Sequence, residues 1–89
     1  MRWKVVYTKS ARRDLSTLDV KIAQKIVLKI RYFAGQKNPL RFSQRLHHPF
    51  DDLYRFRVGD YRAIFKITSE KEIFLLFILR VKHRKDIYE

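Results

Sequence analysis

Residues 53–67 restrict the fold of this chain more than any other segment. Apolar and polar residues alternate over residues 53–58 and again over residues 61–67, and only Gly59 and Asp60 separate the two runs. Alternation with a period of two is typical of a half-buried strand, and a two-residue loop containing Gly is typical of a tight hairpin. The segment therefore predicts two antiparallel strands that bury one face.

The register of this hairpin assigns each side chain to a face of the sheet. If Gly59-Asp60 is the loop, Arg57 lies opposite Arg62 and Phe56 lies opposite Ala63. The predicted core side then carries Tyr54, Phe56, Val58, Tyr61, Ala63 and Phe65, and the other face, called here the basic side, carries Arg55, Arg57, Arg62 and Lys66. Like charges directly opposite each other are unfavourable by up to about 1 kcal/mol, so the basic side is predicted to bind an anion. An ordinary solvated face is the alternative.

A strand and a short helix are predicted at the start of the chain. Residues 2–7 alternate in the manner of a half-buried strand. Thr8 or Ser10 can cap a helix that extends to about residue 17. The charged residues of this helix, Arg12, Arg13 and Asp14, are expected to face water.

A longer helix and a long connection follow. Asp19 can cap a helix over residues 20–34, whose apolar stripe consists of Ile22, Ala23, Ile26, Ile30 and Phe33. Gly35 is expected to end this helix in the left-handed conformation. Residues 36–52 show no clear period, so they are interpreted as a long connection with one helical turn at most.

The last strand completes the predicted fold. Residues 73–81 are almost continuously apolar, which is typical of a strand buried on both faces in the middle of a sheet. The order of elements predicts one α+β domain over residues 1–89, with an N-terminal strand, a helical hairpin and a three-stranded antiparallel meander. The helices are expected to pack on one face of a four-stranded sheet. Whether the first strand pairs in parallel with the last stays open.

The charge of the chain indicates a polyanionic partner. Lys and Arg number 21 against 9 Asp and Glu, which gives a formal net charge of +12 at pH 7. Such a charge attracts phosphate backbones or an acidic protein. The lack of Cys excludes a disulfide framework, and His47-His48 have no carboxylate at ligand spacing, so no metal or cofactor is expected. No signal-peptide pattern or membrane-length apolar run occurs, so a soluble cytoplasmic protein is expected.

The tail of the chain carries groups suited to phosphoryl transfer. The imidazole of His83, the guanidinium of Arg84 and the phenol of Tyr88 follow the last strand directly. RNA can be cut without a metal when a base takes the proton from the 2′-hydroxyl, cations stabilise the pentavalent phosphate, and an acid protonates the leaving 5′-oxygen. An ordinary surface position for His83 and packing of the Tyr88 ring against the sheet are the alternatives.

The hairpin and the tail together resemble the RelE/ParE toxin superfamily. The stretches that carry the resemblance are Leu53-Tyr54-Arg55-Phe56-Arg57-Val58-Gly59-Asp60-Tyr61-Arg62 and Val81-Lys82-His83-Arg84-Lys85-Asp86-Ile87-Tyr88, and it extends over nearly the whole chain. Members of the RelE branch are toxins of type II toxin-antitoxin systems that cut messenger RNA in the ribosomal A site. The resemblance therefore implies a ribosome-dependent endoribonuclease that inhibits translation. Its implied partners are an acidic antitoxin, the ribosome and mRNA.

The resemblance also implies roles for individual residues. Six residues are implied to act in catalysis: Arg55, Arg57, Arg62, His83, Arg84 and Tyr88. Three more are expected to bind RNA: Lys66, Lys82 and Lys85. Within the first group Tyr88 is the general base, and His83 can share the acid or base role. Many relatives have lysine at positions 55 and 57, where an arginine binds phosphate in a bidentate fashion and a lysine does not.

Two other functions compete with the nuclease. The ParE branch shares the fold but poisons DNA gyrase and has no hydrolytic site, and a basic nucleic-acid-binding module without activity is the third candidate. The arginine and phenol of the tail favour the nuclease.

Overall fold

The computed structural model describes residues 2–86, which form two helices and a five-stranded sheet. The elements are β1 (Arg2–Tyr7), α1 (Lys9–Ser16), α2 (Val20–Ala34), β2 (Ser43–Arg45), β3 (Tyr54–Val58), β4 (Tyr61–Glu70) and β5 (Ile73–His83), with short 3-10 turns at Pro39–Phe42 and Arg84–Asp86. The strand order is β1-β5-β4-β3-β2. The predicted α+β class is confirmed. Neither helix in this part of the chain is long and apolar enough to cross a membrane.

The sheet has one strand more than the four predicted. β2 lies inside the connection of residues 36–52 and pairs antiparallel with β3, so that Ser43 lies opposite Phe56 and Arg45 opposite Tyr54. Three residues are too few to show a period, and the pairing partner is about ten residues away, so no local pattern marks this strand. The pairing that the sequence left open is parallel, with β1 lying along β5.

The helices pack on one face of the sheet, as predicted. The core combines Ala11, Ile26, Ile30 and Phe33 of the helices with Phe56, Val58, Ala63, Phe65, Leu76, Ile78 and Val81 of the strands. Its centre is an aromatic stack in which the ring of Phe56 lies 4.8 Å from Phe33 and 4.3 Å from Phe65. Both Tyr54 and Tyr61 pack against this core, so the predicted core side of the hairpin is confirmed.

The predicted helix starts are confirmed, but the predicted end of α2 is wrong. Thr8 caps α1 and Asp19 caps α2, each through a side-chain oxygen that accepts a backbone N–H bond. Gly35 has a φ of −81° and stays right-handed. Its N–H donates to the carbonyls of Arg31 and Tyr32, so a tightened last turn satisfies these groups without a left-handed residue. Gly59, with a φ of 60°, takes the left-handed conformation that the two-residue hairpin needs.

A bulge in β5 decides which side chains of its C-terminal half face the helices. Ile64 pairs with Arg80 and the next residue, Phe65, pairs with Ile78, so Leu79 has no partner on β4. An extra residue reverses the alternation of a strand beyond it. Ile78 and Val81 therefore both face the core although they are three residues apart. The same shift places Lys82 on the basic side.

Asp14 joins α1 to the edge of β5 and does not simply face water as predicted. Its Oδ2 accepts a 2.8 Å bond from the backbone N–H of Val81, and its carboxylate pairs with the guanidinium of Arg80 at 2.8 and 3.0 Å. β1 ends opposite Ile78, so the next stretch of β5 has no strand beside it on that edge. Asp14 supplies the acceptor that a paired strand would otherwise supply. The contact is invisible to helical periodicity because it joins residues more than sixty positions apart.

The charge of Asp14 makes this contact sensitive to pH. Partial burial alone would raise the pKa of Asp14, but the bonds from Arg80 and Val81 and the charges of Arg80 and Lys82 together outweigh it, so the pKa is lowered. A carboxyl group with a lowered folded-state pKa stabilises the fold above its unfolded pKa of about 3.9, and this stabilisation disappears as the pH falls through the folded-state value.

We expect Asp14→Ala to lower the free energy of unfolding by about 2 kcal/mol at pH 7, because it leaves the Val81 N–H without an acceptor. Arg80→Ala, which removes only the half-exposed ion-pair partner, is expected to cost less than about 1 kcal/mol. Urea unfolding at pH 7, 5 and 3 measures both variants. The difference in free energy of unfolding between wild type and Asp14→Ala should be smaller at pH 3 than at pH 7. Equal losses of this free energy in the two variants at every pH would contradict this role of Asp14.

Candidate functional site

Three cations form one row across the basic side of the sheet, next to the hairpin turn. Arg57 of β3 lies opposite Arg62 of β4, and Arg62 lies opposite Lys82 of β5. The predicted register of the hairpin is thereby confirmed. Together with Arg55, two residues before Arg57 on the same face, and with Arg84 beyond β5, these residues are called here the basic cluster.

The members of the basic cluster influence one another electrostatically. Burial, followed by the charges of Arg57, Arg55 and Arg84, lowers the pKa of Arg62, and Asp60 opposes this only in part. Burial and the charge of Arg57 likewise lower the pKa of Arg55. Arginine still keeps its charge at neutral pH. The cluster is therefore a local concentration of positive charge whose members repel one another.

Arg62 is buried, although it was predicted to be a member of an exposed patch. Only 6% of the residue is exposed, and its Nη1 donates 2.9 Å bonds to the carbonyls of Gly59 and Tyr61. β4 lies between β3 and β5, so neighbouring strands flank this side chain on both sides, and it folds back onto its own turn. Its guanidinium stabilises the hairpin turn through these two bonds. Its charge belongs to the cluster although the side chain is buried.

Arg55 is oriented by a residue that the sequence did not single out. The Oε1 of Gln44 accepts bonds of 3.3 and 2.7 Å from Nε and Nη2 of Arg55. The two residues lie opposite each other in the pairing of β2 with β3. No signal in the sequence marks Gln44, because its position depends on a strand that the sequence does not predict. Arg57, in contrast, is exposed, and its side chain makes no hydrogen bond or ion pair within residues 2–86.

The beginning of the tail is attached to the hairpin turn. The backbone N–H of Arg84 donates a 2.7 Å bond to the carbonyl of Asp60, and the Arg84 guanidinium lies 3.6 Å from the Asp60 carboxylate. These contacts bring Arg84 to the end of the sheet where Arg57 and Arg62 lie. Asp60, interpreted from the sequence only as a turn residue, also positions the tail cation. Tyr88 lies outside the described residues.

His83 lies on the other face of the sheet from Arg57. It is opposite Tyr61, and the two rings meet edge to face with centroids 5.3 Å apart. Its Nδ1 accepts a 3.2 Å bond from the backbone N–H of Lys85. The bulge at Leu79 is the cause. It shifts the alternation of β5 by one residue, so that Val81 and His83 face the helix side and Lys82 faces the basic side. The structure therefore places the imidazole on the other face of the sheet from Arg57 and Arg62.

The remaining candidate residues lie around the cluster. Lys82 is a half-buried member of the row, and Lys85 is exposed in the turn after β5. Lys66 is four residues along β4 from Arg62, a separation of about 13 Å, and its Nζ lies 5.9 Å from the ring centroid of Phe77. Lys66 thus belongs to the same face but not to the compact cluster. Within residues 2–86 no three His, Cys, Asp or Glu side chains are placed to hold a metal.

The fold and the site together define a small cationic α+β protein in which four arginines and one lysine lie together at the turn end of the sheet. A family model described as the ParE toxin of type II toxin-antitoxin systems, parDE, matches residues 5–88. Toxin RelG of Mycobacterium tuberculosis is 34% identical over 88 residues, which cover 99% of this chain and 98% of that toxin. The chain therefore belongs to the RelE/ParE superfamily of type II toxin-antitoxin toxins.

Solved structures have the same architecture. A chain of the toxin-antitoxin complex RelBE2 from Mycobacterium tuberculosis matches with a TM-score of 0.72 and 31% identity, over 94% of this chain and 100% of that one. A chain of the archaeal RelE-RelB complex from Pyrococcus horikoshii matches with a TM-score of 0.64 and 20% identity, over 98% of this chain and 100% of that one. At 20% identity, the similarity to the archaeal complex concerns the fold alone.

Proposed function

We propose that this toxin stops translation by cutting messenger RNA on the ribosome, with the ribose 2′-hydroxyl as nucleophile. The observation that carries the proposal is the basic cluster. Its cations converge at one end of the sheet, where the charges of Arg57, Arg55 and Arg84 all act on Arg62. Such a group of charges is unfavourable unless an anion binds there, and a phosphodiester is an anion of fitting geometry for arginine.

The proposed reaction needs a base, an acid and cations at one phosphate. The base takes the 2′-hydroxyl proton, and the 2′-oxygen attacks the adjacent phosphorus and forms a pentavalent state with additional negative charge. The bond to the 5′-oxygen then breaks, that oxygen receives a proton from the acid, and a 2′,3′-cyclic phosphate remains. Arg57 and Arg84 are proposed to contact the phosphate, because both are exposed members of the cluster. Arg62 and Gln44 are positioning residues that hold the turn and Arg55 in place.

The general base is proposed to be Tyr88, as the resemblance to the RelE branch implies. A phenol with a pKa of about 10 needs neighbouring cations to act near neutral pH, and the cluster is a source of them. His83 is the less suitable candidate. Its Nδ1 already accepts the Lys85 N–H, so in the neutral ring the proton is on Nε2, and the ring lies beside Tyr61 on the other sheet face.

The proposed partners are an acidic antitoxin, the ribosome and mRNA. The RelBE2 complex and the archaeal RelE-RelB complex are toxin-antitoxin assemblies, and this chain resembles a chain of each. A net charge of +12 favours a partner of opposite charge, whose binding should weaken with salt. Cytoplasmic location is proposed because the ribosome is the proposed site of action.

A gyrase poison is the second candidate function. The family model that matches residues 5–88 is named for the ParE toxin, and the imidazole of His83 lies on the other sheet face from Arg57 and Arg62. On this reading the basic cluster binds a protein or DNA and cuts nothing. The two candidates differ in whether a phosphodiester bond of RNA is broken.

Primer extension on a message translated by purified ribosomes tests the proposal. We expect cuts within codons when the toxin is added. A cognate acidic antitoxin should abolish them, and it should do so less effectively at high salt. Intact message together with gyrase-dependent DNA breaks would establish the second candidate and exclude the first.

A further inference from the structure

A small cavity lies beside the basic cluster, between the turn before β2 and the strand β3. Its volume is about 210 Å³, and it is lined by Arg41, Phe42, Ser43, Gln44, Arg55 and Arg57. Three of these six residues are arginines and one is an aromatic residue. Two of the arginines, Arg55 and Arg57, belong to the basic cluster, so the cavity is continuous with the proposed phosphate site.

Phe42 gives this cavity an aromatic wall that the core holds in place. It is 41% exposed. One side of the ring stacks on the buried Phe33, with centroids 5.1 Å apart and an interplanar angle of 21°. Tyr32 meets it edge to face at 6.3 Å. The ring is therefore fixed from behind while a large part of its surface remains in contact with solvent.

The polar groups around Phe42 are arranged for a ligand with both a flat ring and a phosphate. The Oε1 of Gln44 is occupied by Arg55, so its amide nitrogen is left to donate. The side chain of Ser43, opposite Phe56, lies on the core side and donates to the carbonyl of Leu40 at 2.9 Å. A donor next to an aromatic ring can contact the edge of a base that stacks on that ring. Arg57 is placed to bind the attached phosphate.

We propose that the cavity at Phe42 is a nucleotide subsite, in which one RNA base stacks on Phe42 while its phosphate lies on Arg55 and Arg57. The proposal deepens the proposed nuclease function and rests on it, since it assigns a place to a nucleotide next to the cleaved phosphate. Stacking platforms of this kind bind single-stranded RNA with strong dependence on the aromatic ring. A cavity that bound only inorganic phosphate would have no use for an exposed ring beside its arginines.

Binding of adenosine 5′-monophosphate and of ribose 5-phosphate, followed by NMR titration, tests this subsite without any cleavage step. We expect the Phe42 ring protons of the wild type to shift with the nucleotide but not with the sugar phosphate. Phe42→Leu should weaken nucleotide binding about tenfold and leave sugar phosphate binding unchanged, because only the base loses its stacking surface. Phe42→Tyr, which keeps the ring, should bind as the wild type does.

Phe50→Leu is the matched control, because Phe50 is 46% exposed but does not line the cavity. It should leave nucleotide binding unchanged. Equal binding of the two ligands by the wild type, or equal nucleotide binding by wild type and Phe42→Leu, would overturn the subsite even if RNA cleavage on the ribosome is observed. Ring-dependent nucleotide binding without any RNA cleavage would keep the subsite and overturn the proposed nuclease.

Discussion

Replacing Arg57 with alanine should slow message cleavage by two orders of magnitude or more while the melting temperature stays within a few degrees of wild type. The side chain of Arg57 is exposed and makes no hydrogen bond or ion pair within residues 2–86, so its removal leaves no described group without a partner. Loss of one preorganised donor to a developing oxyanion typically costs about 100-fold to 1,000-fold in rate. Removing a like charge from beside Arg55 and Arg62 also relieves repulsion, so the fold should not weaken.

Single-turnover cleavage on programmed ribosomes, with thermal melts in parallel, measures both quantities. Arg12→Ala is the matched control, since Arg12 is an exposed arginine on α1, away from the basic cluster. It removes the same charge from the same protein and should change the rate less than about threefold, as expected for a change of net charge alone. Equal losses in Arg57→Ala and Arg12→Ala would mean that the total charge, and not the cluster, governs activity.

The second large effect is expected at the general base. Tyr88→Phe should lower the single-turnover rate about 100-fold or more, and His83→Ala should lower it less than about tenfold. The difference rests on the placement of His83, which packs against Tyr61 and accepts the Lys85 N–H on the face away from Arg57. Loss of its imidazole disturbs the attachment of the tail but removes no group from the basic cluster.

The pH dependence of the same rates separates chemistry from positioning. With Tyr88 as the base, the wild-type rate should rise as the pH increases, and this rise should be absent from Tyr88→Phe. A loss in His83→Ala as large as that expected for Tyr88→Phe would transfer the base role to the imidazole. Full activity in both single variants and in the double variant would contradict base catalysis by either residue and favour the gyrase poison.

The sequence alone predicted those parts of the molecule whose information is local. The two-residue loop at Gly59-Asp60 fixed the pairing of Arg57 with Arg62, because a tight turn allows a single register. The caps Thr8 and Asp19 marked the helix starts within a residue. The hairpin and tail residues were sufficient for the family, which the comparisons confirm.

Contacts between distant parts of the chain were decided by the tertiary structure. β2 is a strand only because β3 lies beside it, so Gln44 and its bond to Arg55 could not be predicted. The position of Asp14 in helix α1 predicts a solvated side chain. Because no strand lies beside Val81 on that edge, Asp14 instead accepts the backbone N–H of Val81.

The bulge of β5 is a feature that no pattern in the sequence predicts. A continuously apolar strand has no alternation, so an unpaired Leu79 leaves no trace in the pattern of residues 73–81. Its consequence is large, since it places Lys82 with the arginines and His83 with Tyr61. Likewise, the hairpin pattern showed on which face Arg62 lies. Its burial depends on the strands that flank it on both sides, because exposure is set by neighbours in space and not by neighbours in sequence.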